Sequence, residues 1–184
     1  KSGDFYESVA VYQDLINKIG EDDDIQGQNK KNIPEPVRHA MYDLICESLA
    51  NALYANGKFE EAASKYETLL LEYKRYKETR NLQTPHRAAI YCRLADCYRL
   101  RGKYAAAEKA YDEALKIWTD SNQETSSLIA TTRLLGFVHF QQGHYKRARY
   151  LYEEALPKME STLGESSPEV IAALREYSQL MWKK

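Results

Sequence analysis

The sequence predicts an all-α fold, a right-handed solenoid of antiparallel helix pairs, and three observations carry that prediction. Strand signal is nearly absent: Ala, Leu, Glu, Lys and Tyr dominate, and apolar residues recur at spacings of three and four. A string is repeated. "GDFYESVAVYQDLI" from Gly3, "GKFEEAASKYETLL" from Gly57, "GKYAAAEKAYDEAL" from Gly102 and "GHYKRARYLYEEAL" from Gly143 each read Gly, any residue, an aromatic, two more, a small residue, three more, then Tyr. The glycines also recur at long, similar intervals, 45 residues from Gly57 to Gly102 and 41 from Gly102 to Gly143. One helix pair cannot bury its apolar stripe alone, so pairs at such a period must stack on one another.

Helices are expected at 4–19, 37–56, 59–80, 85–101, 104–119, 124–141, 145–163 and 168–182. Gly57, Gly102 and Gly143 fall between the partners of a pair, where a left-handed backbone is needed. Pro85 and Pro168 stand at helix starts, where a missing amide hydrogen costs nothing. Ala62, Ala107 and Ala148 mark the closest crossing of the two helices, faced by Ala50, Ala95 and Gly136. Tyr66, Tyr111 and Tyr152 cover the seam and contact the next pair, while Phe59, Tyr104 and Tyr145 wedge into the turn. Pro157 lies inside a helical pattern, so helix 145–163 is expected to kink or break there. The chain reads as a single domain, 1–184: a half repeat 1–20, a polar mobile loop 21–36, full repeats 37–84, 85–123 and 124–166, and a terminal helix 167–184.

Composition narrows the function. Lysine and arginine number 26 against 27 acidic residues, a net charge of -1, which argues against nucleic acid and against an acidic membrane surface. No run approaches a transmembrane span. Three cysteines, Cys46, Cys92 and Cys97, cannot all pair within the chain and fit a reducing, intracellular and cytoplasmic setting. The start at Lys1 suggests a segment of a longer protein. Catalysis has no support: no phosphate loop, metalloprotease helix or nucleophile elbow is present. Cys92 and Cys97 are too far apart for a zinc pair, and "EDDD" at 21–24 lacks calcium-loop spacing. No motif surrounds His39, His86, His139 or His144; His139 falls on a packing position and His144 in a turn. No cofactor and no metal are expected.

The run Leu94-Ala95, Tyr98, Gly102, Tyr104, Ala107, Tyr111 and Ala114 resembles the tetratricopeptide repeat (TPR). Three full pairs match it, at a period longer than the usual spacing of about 34 residues. The segment "YEEALPKMESTLGESSPEVIAAL" (152–174) is similar to the longer repeats of kinesin light chains, with their Leu-Gly, short polar turn, proline and acidic residue. The resemblance implies a TPR-type solenoid and a protein-interaction module, an adaptor or scaffold. The first helix of each pair then lines a concave groove able to take a peptide or helical segment.

Registering the repeats places Asn51, Tyr54, Asp96, Arg99, Arg133, Phe137, Phe140, Arg175, Gln179 and Trp182 in that groove. Arg99, Arg133 and Arg175 would supply positive charge, and Phe137, Phe140 and Trp182 apolar anchors, which suits an acidic and apolar partner. Against that reading, the aromatics pack between neighbouring first helices, or Arg133 pairs with Glu124 or Asp120. The carboxylate clamp of chaperone-tail binders is incomplete: Asn51 fits, but Glu47 replaces a lysine and Cys92-Arg93 stand where the second asparagine belongs. The asparagine ladder of kinesin light chains is also missing at Cys92-Arg93, Arg133 and Arg175. The alternative reading is structural: a piece of a longer array, or an end-to-end self-assembling oligomer, with no peptide ligand.

Overall fold

The computed structural model describes residues 9–15, 35–75, 85–120 and 126–183. Among them are helices α1 (9–15), α2 (Glu35–Ala55), α3 (Phe59–Arg75), α4 (Pro85–Leu100), α5 (Tyr104–Asp120), α6 (Ser126–Gln141), α7 (Tyr145–Leu163) and α8 (Pro168–Met181), and no strand. The fold is the all-α helical repeat expected. The loop 21–36 lies outside the described residues except at its end, where α2 starts at Glu35. Pro36 accounts for the earlier start, because proline is accommodated in a first helical turn. Most of the first half repeat, and the expected tail of the third helix at 76–80, also lie outside.

The chain divides into two compact units, Lys1–Glu78 and Thr79–Lys184. In the first, α2 packs on α3 around Leu49, Ala50, Leu53, Ala62, Tyr66 and Leu69. In the second, α4 pairs with α5 and α6 with α7; α5 lies on α6, and α7 on α8. The first helices also touch one another directly, α4 against α6 and α6 against α8. A helix so flanked buries residues on several sides. Thus α4 buries Ala88, Ile90, Leu94, Ala95 and Cys97, and α6 buries Ile129, Thr131, Thr132, Leu135, Gly136, Val138 and His139. Helices α5 and α7 are amphipathic, with one stripe inward.

The small residues sit where the repeat strings put them. Ala62, Ala107 and Ala148 have no exposed surface, nor do Ala50 and Ala95. A methyl group added at Gly136 would stand 3.3 Å from Leu151 Cβ and 3.4 Å from the Tyr152 ring, so the backbone of α6 approaches α7 closely here. Gly102 takes φ +70, and the following Lys103 amide donates to the Tyr98 carbonyl at 2.9 Å, closing α4 with a left-handed cap. At the start of α8, Ser167 accepts from the Val170 amide at 3.2 Å, with Pro168 in the first turn and Glu169 favouring the positive end of the helix.

Pro157 does not break its helix. α7 runs from Tyr145 to Leu163 without interruption. The proline is on the exposed side, where water can satisfy the carbonyl that loses its partner.

Ala107→Glu should destabilise the second unit by several kcal/mol. It forces bulk and an unpaired charge into a site with no exposed surface. Thermal melting within a degree or two of the wild type would contradict the helix crossing described here.

Candidate functional site

Within each unit the first helices are tied to buried phenols, one in the first unit and two in the second. Tyr66, Tyr111 and Tyr152 are each fully buried on a second helix. A phenol hydroxyl taken out of water needs an acceptor. Tyr66 donates to Asn51 Oδ1 at 2.6 Å, and Tyr111 to Asp96 Oδ1 at 2.7 Å. Asn51 and Asp96 occupy equivalent positions, one in each unit, and each serves its own pair. In the next repeat the equivalent residue is Phe137, which cannot accept. Tyr152 instead donates to Glu176 Oε2 on α8, at 3.0 Å. Tyr152 therefore makes its hydroxyl bond to the next helix, whereas Tyr111 bonds back into its own pair.

A carboxylate recruited to such a site brings a charge that must itself be paired. Arg99 supplies the cation for Asp96, at 2.8 Å from Nη2 and 3.1 Å from Nε. Its Nε also lies 3.3 Å from the Tyr111 hydroxyl. Arg133 does the same for Glu176 across 43 residues of sequence, Nη1 donating to both oxygens at 3.0 and 2.8 Å. Burial opposes the Arg99 charge, yet the bond to Asp96 and the influence of Tyr111 hold its pKa above the ordinary value. Burial first, then Asp96, pushes the Tyr111 hydroxyl up, and burial with Glu176 does the same to Tyr152. Both phenols stay protonated donors.

Each residue expected in the groove can now be placed. In the first unit, Asn51 is exposed, and Tyr54 is half-buried with its ring edge-on to Phe59 at 5.5 Å. In the second, Asp96, Arg99, Arg133, Phe137 and Phe140 are half-buried. The Arg99 guanidinium lies over the Phe137 ring, 5.8 Å from its centre. Phe140 meets Tyr145 at 6.0 Å, beside the core around α6, α7 and α8. Arg175, Gln179 and Trp182 are exposed, Trp182 at 89%. α4 and α6 therefore bring Asp96, Arg99 and Phe137 together, and α6 and α8 bring Arg133 to Glu176, which the repeat register did not select. Arg133 pairs with Glu176, whose carboxylate Tyr152 also holds; of the two partners expected from the sequence, Glu124 lies outside the described residues. Two of the three arginines expected to offer positive charge to a partner are occupied within the chain.

The cysteines are packing residues. Cys46 and Cys97 are buried, and Cys92 Sγ lies 3.2 Å from Thr131 Oγ1 on α6. Burial raises all three thiols, Cys97 from its ordinary 9.0 to about 11.

A second polar cluster was missed by the repeat register. His139 at the end of α6 is buried, Glu108 approaches it from α5, and His144 stands in the turn before α7. Burial pushes His139 down, against the pull of Glu108. The available signal was a pair of histidines flanking the glycine of one turn.

Comparison with known proteins follows the geometry. Two family models, each described as tetratricopeptide repeat, match residues 48–122 and 86–161. No curated protein matches the chain. Among solved structures it is similar to the nearly identical TPR-like repeats of a candidate kinesin light chain from Podosopora anserina, at 20% identity and a TM-score of 0.71, covering 97% of this chain and 78% of that one. BtubC (BKLC) from P. vanneervenii matches at 23% identity and a TM-score of 0.68, over 97% of this chain and 66% of its own. The apo form of RapI matches at 17% and 0.69, over 97% and 46%. At these identities the likeness is one of fold. No helix among the described residues is long and apolar enough to cross a membrane.

Two outcomes test the site. Glu176→Ala strands the Tyr152 hydroxyl and leaves Arg133 unpaired, and should cost about 2–3 kcal/mol in urea unfolding. Glu176→Gln, which keeps an acceptor, should cost less; equal costs would refute the hydroxyl's role. Cys97 should lower stability at high pH. Its thiol ionises near 9.0 when unfolded but near 11 when folded, so its contribution is intact below pH 9 and is lost between pH 9 and about 11. Denaturation midpoints should fall across that range, less steeply in Cys97→Ala. An identical slope in that variant would count against the shift.

Proposed function

The chain belongs to the tetratricopeptide repeat family, its two model matches together spanning residues 48–161, and from that premise we propose that it is a protein-interaction module, an adaptor or scaffold that binds a peptide or helical segment of a partner protein along the face of α4, α6 and α8. The observation that supports this most is the set of side chains left accessible on that face. Phe137 and Phe140 are half-buried, and Arg175, Gln179 and Trp182 are exposed on α8. Aromatic and arginine side chains in such positions dominate binding energies at interfaces. Neighbouring helices stand about 8–10 Å apart, a distance that about three residues of extended chain cover.

The partner chemistry differs from a charge-lined groove. Arg99 and Arg133 already hold Asp96 and Glu176, so an acidic partner would have to displace intramolecular carboxylates there. The acidic contact is therefore assigned to Arg175, with apolar groups against Phe137, Phe140 and Trp182. Asn51 and Tyr54 are proposed to present polar and aromatic groups in the same way within the first unit.

One observation favours a second reading. The outward face of α8 leaves Ile171, Leu174 and Met181 exposed at 48%, 41% and 51%. In this reading a further repeat, or a second copy, stacks on that face and the groove carries no peptide.

The test uses Arg175→Glu with Trp182→Ala, both exposed and confirmed folded by circular dichroism. A peptide array should show acidic-apolar ligands bound by the wild type and lost, at least tenfold, by the double variant. Retention of every ligand would refute the groove. Association rising with concentration in solution scattering, and abolished by Ile171→Glu, would establish the stacking reading instead.

A further inference from the structure

We propose that Glu108, His139 and His144 form a binding site for a divalent transition-metal ion of the kind that takes imidazole and carboxylate ligands, such as zinc. Each residue places one ligand atom within 4.8 Å of the other two. His139 Nε2, the nitrogen that would ligate, stands 3.9 Å from Glu108 Oε1; the other ring nitrogen, Nδ1, lies 3.4 Å from His144 Nδ1, a contact that sets the two rings side by side and is not itself a ligand pair. The first separation is too long for a hydrogen bond. It is within the span of two metal bonds of about 2.0–2.1 Å each.

The orphaned atoms point the same way. His139 is 1% exposed, and its Nε2 has no hydrogen-bond partner. A buried ring nitrogen without a partner is rare and calls for an explanation. Beside it, Gln142 Nε2 donates to Glu108 Oε2 at 2.8 Å. That bond fixes the carboxylate and leaves its other oxygen towards His139, as outer partners do for metal-bound carboxylates. Gln142 Oε1 is also buried and unpartnered.

The fold itself does not require these residues. The turns inside the α2–α3, α4–α5 and α6–α7 pairs are built alike. The amides of Lys58, Lys103 and His144 each donate to the carbonyl five residues back, of Leu53, Tyr98 and His139, all at 2.9 Å. Gly143, at φ +79, reverses the chain as Gly102 does. Leucine or tyrosine followed by lysine satisfies the same turn twice. The third has imidazoles at both positions, and there Glu108 of the preceding helix stands 3.9 Å from one of them. Asp112 of α5 and Arg147 of α7 are the other charges felt by His139, one of each sign. A bound ion would tie α5, α6 and the start of α7 together and stabilise the repeat by mass action.

The test titrates the untagged, metal-free protein with zinc and, for spectroscopy, cobalt(II). The variants are His144→Ala and Glu108→Gln, both at accessible positions, with exposed His86→Ala as control. We expect one ion per chain, a higher melting temperature with zinc, and visible cobalt bands of low coordination number. His144→Ala and Glu108→Gln should each weaken binding by about tenfold or more, with His86→Ala unchanged. Absence of a melting shift and of cobalt bands in the wild type would overturn the site. So would equal affinity in His144→Ala, or loss in His86→Ala alone.

Discussion

A phenol with no exposed surface, set at the seam of each helix pair, is the constraint from which much of this structure follows. The Tyr66, Tyr111 and Tyr152 rings fill space that the small residues at the crossings leave open, which favours their burial strongly. The hydroxyl comes with the ring. Left without an acceptor it would cost about 1–3 kcal/mol, so an acceptor on a first helix becomes a condition of the fold. Asn51 meets the condition without charge. Asp96 and Glu176 meet it with charge, and each then requires an arginine. What looks like a charged binding face on α4, α6 and α8 is in large part the consequence of two buried hydroxyls, those of Tyr111 and Tyr152.

The third pair departs from the pattern in a way that couples it to the next element. Phe137 takes the place of an acceptor and receives the Arg99 guanidinium on its ring. Tyr152 and Arg133 both turn to Glu176. The bonds that in the α4–α5 pair are internal, Asp96 to Arg99 and Tyr111, become bonds to α8. Apolar burial of Val170, Ala173 and Leu180 holds the same helix from the other side. α8 is thus fixed by both packing and a charge-assisted network, on terms similar to α4 and α6.

The helices were legible because a period of three and four, with glycine at each turn, is a local pattern that leaves few alternatives. The close crossings at Ala107 and Ala148 were legible for the same reason. The fate of the groove residues was not. Repeat register says that Arg133 lies on a first helix near Arg175; it does not say that Glu176, one residue along, faces Arg133. That depends on the rotation of α8, which is set by the burial of Val170 and Leu180 and by the demand of Tyr152. The Glu108, His139 and His144 cluster was hidden by distance along the chain, since its members lie on two helices and a turn. Of the kink or break expected at Pro157 the break does not occur: the proline lies on the wet side of α7, which continues to Leu163.

These pairings also change how a face of this kind can recognise anything. Exposed arginines attract acidic groups from a distance and set association rates. Arginines already bound to carboxylates do so weakly, since the local charge is near balance. What they offer instead is rigidity: Arg99 fixed by Asp96 and laid over Phe137 is a flat, preordered surface with little side-chain entropy left to lose. On the proposed reading, specificity would come from shape and from the groups that remain exposed, Arg175 and Gln179 on α8 and Trp182 at its C-cap. The ion pair that orders Arg133 of α6 ends on α8 at Glu176. The exposed side chains that would meet a partner begin on the same helix, one residue before it.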